Sequence, residues 1–144
     1  MRPERHHNTT TPPDADETLF LSWNGGSLKL SLPELKTYPQ TNYAYSYVTN
    51  HGNHGPYQLT GVSLRDLITA EVMADWSEVT VLSADGFGNR LSRDEVLTQP
   101  PPMLYYLSDG GLLSRQNGLI RLVVPSEIDN ALRQIKWVRE VQVS

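Results

Sequence analysis

The sequence predicts an α+β domain with mixed β-sheets and short helices. Three observations lead there. Short apolar and β-branched runs recur along the chain, bounded by Gly, Pro, Asn and Asp. Helical stripes are brief and begin at serine caps. The runs do not alternate strand and helix regularly, which argues against a doubly wound parallel sheet.

The elements follow in order. Residues 1–18, MRPERHHNTTTPPDADET, are rich in Thr, Pro, His and acids, and read as a disordered arm. The stretch has no apolar core of signal-peptide type. The domain is expected over 19–144. Leu19 to Trp23 and Ser27 to Leu32 are strand-like runs around Asn24-Gly25-Gly26, a hairpin signal. Pro33 to Lys36 reads as one helical turn, stopped before Pro39. Thr41 to Thr49 alternates Tyr43, Tyr45 and Tyr47 on one strand face, a row better suited to burial than to stacking a ligand.

A Gly-, Asn- and His-rich loop, NHGNHGP, leads to a strand at Tyr57 to Thr60. Ser63-x-x-Asp66 opens a helix with apolar residues at 64, 67, 68 and 72. Glu78 to Ser83 is a strand, and Asp85-Gly86 turns the chain into Asn89-Arg90-Leu91. Ser92-x-x-Glu95 caps another short helix. Met103 to Leu107 is a strand closed by Asp109-Gly110-Gly111. A strand at 119–124, a helix at 126–134 and a strand at 136–143 complete the chain.

Composition narrows the function classes. The chain has 144 residues, enough for one domain with a real core, and 38% of them are hydrophobic. No apolar stretch approaches the roughly 18–20 residues of a membrane span. A net charge of -4 argues against general nucleic-acid binding. Residues 113–144 nevertheless hold five cations against three acids, a net of +2, which leaves -6 for the rest. A basic end of that size suits a small anion better than a polyanion. There are no cysteines, so disulfides, thiolate metal sites and cysteine nucleophiles are excluded. With no leader in view the sequence as it stands is expected to be cytoplasmic; removal of a leader would make it extracytoplasmic.

Two constellations carry candidate chemistry. Arg121 stands inside the apolar run Leu119 to Val124, where a guanidinium must find an anion or a carboxylate. Asp85 or Glu140 would make it a structural residue, whereas a phosphate would make it a binding one. Lys136 opens the next strand; if the two strands pair, both cations converge on one anion. Ser126 could cap a helix whose N-terminus adds to that attraction. The second constellation is His51, Asn53 and His54. It reads as a backbone-bonding loop, as a donor set facing a ligand or, less well, as a metal site, since no acid or thiol completes it. No Walker loop, nucleophile elbow or His-Glu-x-x-His motif is present.

Three blocks resemble the oxidoreductase molybdopterin-binding domain of sulfite-oxidase-like enzymes. They are Leu59-Thr60-Gly61-Val62-Ser63-Leu64-Arg65-Asp66-Leu67-Ile68; Val79 to Ser83 running into Asp85-Gly86-Phe87; and Asn117-Gly118-Leu119-Ile120-Arg121-Leu122-Val123-Val124-Pro125 followed by Lys136-Trp137-Val138. The resemblance spans roughly 19–143 and implies an α+β fold. It implies that Arg121 and Lys136 help to hold the phosphate and pterin of molybdopterin or the molybdenum cofactor. Asn117 stands where the family often has histidine. The family's metal-ligating cysteine would fall within Tyr47 to Asn53, and no thiol is there. The expected function is therefore binding of molybdopterin or a related anionic pterin, as part of an oxidoreductase with a redox partner protein. The alternative is a non-enzymatic interaction module that keeps the fold without the cofactor. The expected ligand contacts are Arg121, Lys136, Asn117, His51, His54 and Asn53, with no protein metal site and no assigned catalytic residue.

Overall fold

The computed structural model of the protein describes residues 16–125 and 134–144. Two five-stranded sheets face each other, with short helices packed at their margins. The first sheet joins β1 (Leu19–Trp23), β2 (Gly26–Leu30), β5 (Glu78–Ser83), β6 (Gly88–Ser92) and β10 (Val138–Val143), in the order β2-β1-β10-β5-β6. Its β1–β10 contact is parallel and the other pairs are antiparallel. The second sheet joins β3 (Thr41–Thr49), β4 (Gly52–Ser63), β7 (Met103–Ser108) and β8 (Gly111–Leu112), and β9 (Arg121–Val123) also pairs with β7. The mixed sheets and brief helices make the fold α+β, as expected.

Strand alternation explains two apolar clusters. Successive side chains point to opposite sheet faces. Leu104 of β7 and Leu122 of β9 join Leu19, Leu21, Val79, Val81 and Val141 in the core between the sheets. Their neighbours Met103, Tyr105 and Val123 join Tyr45 and Leu59 in a second cluster on the other side of the second sheet. Strand β7 is therefore buried on both faces, which is why it reads as an apolar run rather than an alternation.

The helices are set by their caps. Ser31 and Glu34 form a complete capping box on α1 (Leu32–Leu35). Ser92 and Glu95 do the same for α3 (Arg93–Val96). On α2 (Leu64–Glu71), Ser63 accepts from the Asp66 amide, and Leu64, Leu67 and Ile68 enter the core.

Several expectations shift. The His-Gly-Asn-His segment is the tip of the long β3–β4 hairpin, with residues from Gly52 onward inside β4 rather than in a loop. Strand β8 was not anticipated, because two exposed residues give no pattern. The expected strand at 119–124 shortens to β9, because Leu119 adopts a left-handed φ of 59°. Trp137, at φ 54°, likewise delays β10 to Val138. These two strands do not pair as ladders. They lie in different sheets, and the segment leading into β10 meets β9 through the isolated bridge Leu122–Ile135. Most of the N-terminal arm (1–15) and most of the helix expected at 126–134 (126–133), with its Ser126 cap, lie outside the described residues.

Candidate functional site

The basic corner forms where β9 and the approach to β10 cross between the sheets. A tight turn precedes β9: the Asn117 and Leu119 amides donate to the Ser114 carbonyl at 3.0 and 3.2 Å. The Trp137 amide donates to the Gly118 carbonyl, and the Val138 amide to Ile120, both at 2.8 Å. Trp137 is only 1% exposed, and its indole N–H donates to the Arg115 carbonyl at 2.7 Å. This buried, satisfied tryptophan pins the 115–118 turn to the segment carrying Lys136. The crossing thus brings Arg121 and Lys136 together without a strand ladder between them.

Gly118 is the floor between the two cations. Its φ is +107°, and an added Cβ would stand 3.0 Å from both Arg121 Cγ and Lys136 Cβ. Only glycine leaves both stems in place and accepts this backbone. Two further residues beside the corner, Leu119 and Trp137, also hold left-handed φ values. Such backbone costs about 1–3 kcal/mol per residue and collects at binding and catalytic sites.

The guanidinium of Arg121 is only partly committed. Nη1 donates to the Asn117 carbonyl at a long 3.4 Å, and the group lies 5.7 Å from the Tyr105 ring centre. Its Nε is buried and has no hydrogen-bond partner among the described residues. A buried, unpartnered donor on a cation invites an acceptor of negative charge. Lys136 lies 5.6 Å from the ring of Trp137. Burial holds its ammonium below the ordinary lysine range, and the nearby Arg121 charge lowers it further, while Asp85 acts the other way.

Asp85 enters through the turn after β5. The Ala84 amide donates to the Trp137 carbonyl at 2.8 Å, and Ser83 is in register with Val138. The buried Ser83 hydroxyl donates to Asp85 Oδ1 and accepts from the Phe87 amide at 3.0 Å. Sequence reading had Asp85 only as a structural partner for Arg121. It had no signal for Tyr105 or for Gly118 as the floor, since both depend on which strands lie side by side.

The expected contacts divide into two groups. Arg121, Lys136 and Asn117 meet at this corner, with Asn117 contributing its carbonyl while its side chain is exposed. His51, Asn53 and His54 sit at the β3–β4 hairpin tip. Arg121 is level with Tyr105 and, through it, with Gly61, so roughly 20 Å of strand separates that level from His54. Tyr45 is buried at 5% exposure, which suits the expected burial of the tyrosine row; the Tyr47 side chain lies outside what is described. Two clefts beside Phe20, lined by Lys29 and Arg139, run along the outer face of the first sheet and include neither Arg121 nor Lys136.

The donor set discriminates between the two ends of a metallated pterin. The basic corner fits a phosphate: two cations, one buried N–H with no partner among the described residues, and a bare glycine floor. The metal end does not fit, because the chain has no thiol and no group of three His, Asp or Glu gathers among the described residues. Among the described residues no helix is long and apolar enough to cross a membrane.

Residues 18–144 match the family model for the oxidoreductase molybdopterin binding domain. The fold is similar to the crystal structure of the sulfane dehydrogenase SoxCD from Paracoccus pantotrophus, with a TM-score of 0.77 and 19% identity. That match covers 96% of this chain and 41% of the other, so this chain spans well under half of the SoxCD chain's length. No curated protein sequence matches the chain.

Proposed function

The chain belongs to the oxidoreductase molybdopterin-binding domain family, and from that premise we propose that it binds molybdopterin, or a related anionic pterin, by its phosphate. The observation that carries the reading is the buried Arg121 Nε, which lacks a partner among the described residues and stands beside Lys136 and over the bare Gly118 floor. Arg121 would donate from Nε, and its Nη1 would exchange a long carbonyl contact for a shorter charge-assisted one. Lys136 would add a second positive charge, and Tyr105 would hold the guanidinium plane. Asn117 would fix the turn through its carbonyl. His51, Asn53 and His54 would reach the ligand only if its far end extended along β4 towards the hairpin tip.

The missing thiol favours a second element of the reading: this chain retains or presents its ligand rather than transferring oxygen at a cysteine-held metal. No redox step follows from its own residues, and any electron transfer would require a partner protein. A module that has kept the fold and lost the ligand is the competing outcome.

Expression of the full chain in a host that makes molybdenum cofactor tests this. Protein-bound pterin, measured by fluorescence after oxidation, is expected at close to one per chain, with molybdenum counted separately by mass spectrometry. Arg121→Ala should lower retained pterin about tenfold or more, the effect of one charge-assisted contact, while the unfolding midpoint changes little. Absence of pterin from the wild-type chain, with partner genes co-expressed, would rule the binding reading out.

A further inference from the structure

The outer face of the first sheet carries a second, separate arrangement of cations. Phe20 of β1 points away from the core: its neighbours Leu19 and Leu21 are fully buried, whereas Phe20 is half-buried. It is in register with Lys29 of β2 on one side and Glu140 of β10 on the other. A register shift in β10 between Val138 and Glu140 turns two consecutive residues, Arg139 and Glu140, outward between the buried Val138 and Val141. The Lys29 Nζ and the Arg139 guanidinium carbon each stand 5.8 Å from the Phe20 ring centre. The same three side chains line two adjoining clefts, of about 350 Å³ and about 470 Å³.

Neither cation has a hydrogen bond or an ion pair among the described residues. The acids nearby are engaged by neutral donors: the Thr18 amide donates to Asp16 Oδ1 at 3.1 Å, and the Gln142 side-chain amide to Glu140 Oε2 at 2.8 Å. Two like charges around one ring repel each other and attract an anion between them. Each cleft sets two cations against one acid, Asp16 in the first and Glu140 in the second, a net of +1. That balance matches a single negative charge and disfavours a dianion or a polyanion. Phe20 and, in the first cleft, Trp137 add aromatic surface, which suits a flat apolar body. A guanidinium stacks on such a body as readily as on Phe20. The volumes fall in the range of small-molecule sites.

We propose that this groove is a binding site for a small aromatic monocarboxylate. The carboxylate bridges Lys29 and Arg139, and the ring lies against Phe20. The site stands apart from the pterin reading, because neither Arg121 nor Lys136 lines either cleft.

The test is titration of the full chain with sodium 2-naphthoate at neutral pH and fixed ionic strength, followed by backbone amide chemical shifts. Saturable shifts are expected at Phe20, Lys29 and Arg139. Acetate has the charge without the ring, and 2-naphthylmethanol has the ring without the charge; each should bind about tenfold more weakly. Lys29→Gln and Arg139→Gln should each weaken naphthoate about threefold to fivefold, the effect of one exposed charge. Both side chains are exposed, so these variants keep the fold. Phe20→Leu should weaken naphthoate and leave acetate unchanged. Arg121→Ala should leave naphthoate binding unchanged, so this proposal and the pterin reading fail separately. Absence of saturable shifts at Phe20, Lys29 and Arg139 would overturn the site. Acetate binding as tightly as naphthoate, or naphthoate binding that survives loss of both cations or disappears in Arg121→Ala, would overturn it too.

Discussion

At the scale of single residues, Lys136 behaves as a charge placed for something other than stability. Its ammonium is held below the ordinary lysine value by burial, then by the Arg121 charge. The unfolded chain therefore binds that proton more strongly than the folded one does. Stability of the ligand-free protein should rise as pH climbs through the lowered Lys136 value towards 10.5, and level off at its lower plateau below that window. Lys136→Met should remove this slope and stabilise the ligand-free protein by a few tenths to about 1 kcal/mol, since water screens a half-buried group. The same substitution should weaken phosphate binding about tenfold. Urea unfolding across pH, with and without phosphate, reads both effects. Gly118→Ala should weaken binding too, but for a steric reason: its Cβ presses on both cation stems. It should also destabilise the fold by roughly 1–3 kcal/mol through its left-handed backbone.

At the scale of elements, the close approach of β4 and β7 is the most exacting junction. A Cβ at Gly61 would fall 1.9 Å from the Leu104 carbonyl oxygen, beside the register shift between Thr60 and Gly61. Backbone occupies that space and cannot turn aside as a side chain would. Gly61→Ala should therefore cost more than about 2 kcal/mol in chemical denaturation, and a shift of β7 would carry Arg121 with it, since Tyr105 of β7 pairs with Arg121 of β9. Local elements were largely legible because their signals are local. Thr41 to Thr49 and Glu78 to Ser83 have the bounds expected of them, and the expected serine caps at 63 and 92 each accept from an amide three residues on; the Ser31 cap falls where a strand run is expected. The corner was legible only in part. Arg121 and Lys136 stood out as polar residues in apolar context. Their meeting depends on Leu119 and Trp137 leaving strand geometry, and no residue preference announces a tryptophan in left-handed backbone. The hairpin histidines misled for the converse reason: glycine-rich sequence suggested a loop, whereas cross-strand pairing extends β4 through it.

At the scale of the whole molecule, the two sheets share one core, so the fold should behave as a single cooperative unit. Leu19 and Val141 of one sheet pack in the same cluster as Val62 and Leu122 of the other, with α2 and α3 contributing Leu67 and Val96. A ligand held at the crossing of the sheets should therefore stabilise all of it. Phosphate at about 100 times its dissociation constant should add ~2.7 kcal/mol, seen as one shifted melting transition rather than two. Two resolved transitions would show that the corner responds apart from the rest. The positive charge of residues 113–144 against an otherwise acidic chain directs small anions to this end of the sequence.

The strand order of the first sheet has a consequence for biosynthesis. Its central strand, β10, is the last in sequence, and it joins β1 from the beginning of the domain to β5 from the middle. During translation the β2–β1 and β5–β6 hairpins emerge early but have no shared neighbour until β10 leaves the ribosome. Lys136 and Trp137, just ahead of β10, arrive at almost the same moment. A nascent chain released short of Val138 should therefore lack both a joined sheet and an anion corner, so ligand capture would report that β10 has taken its place between β1 and β5.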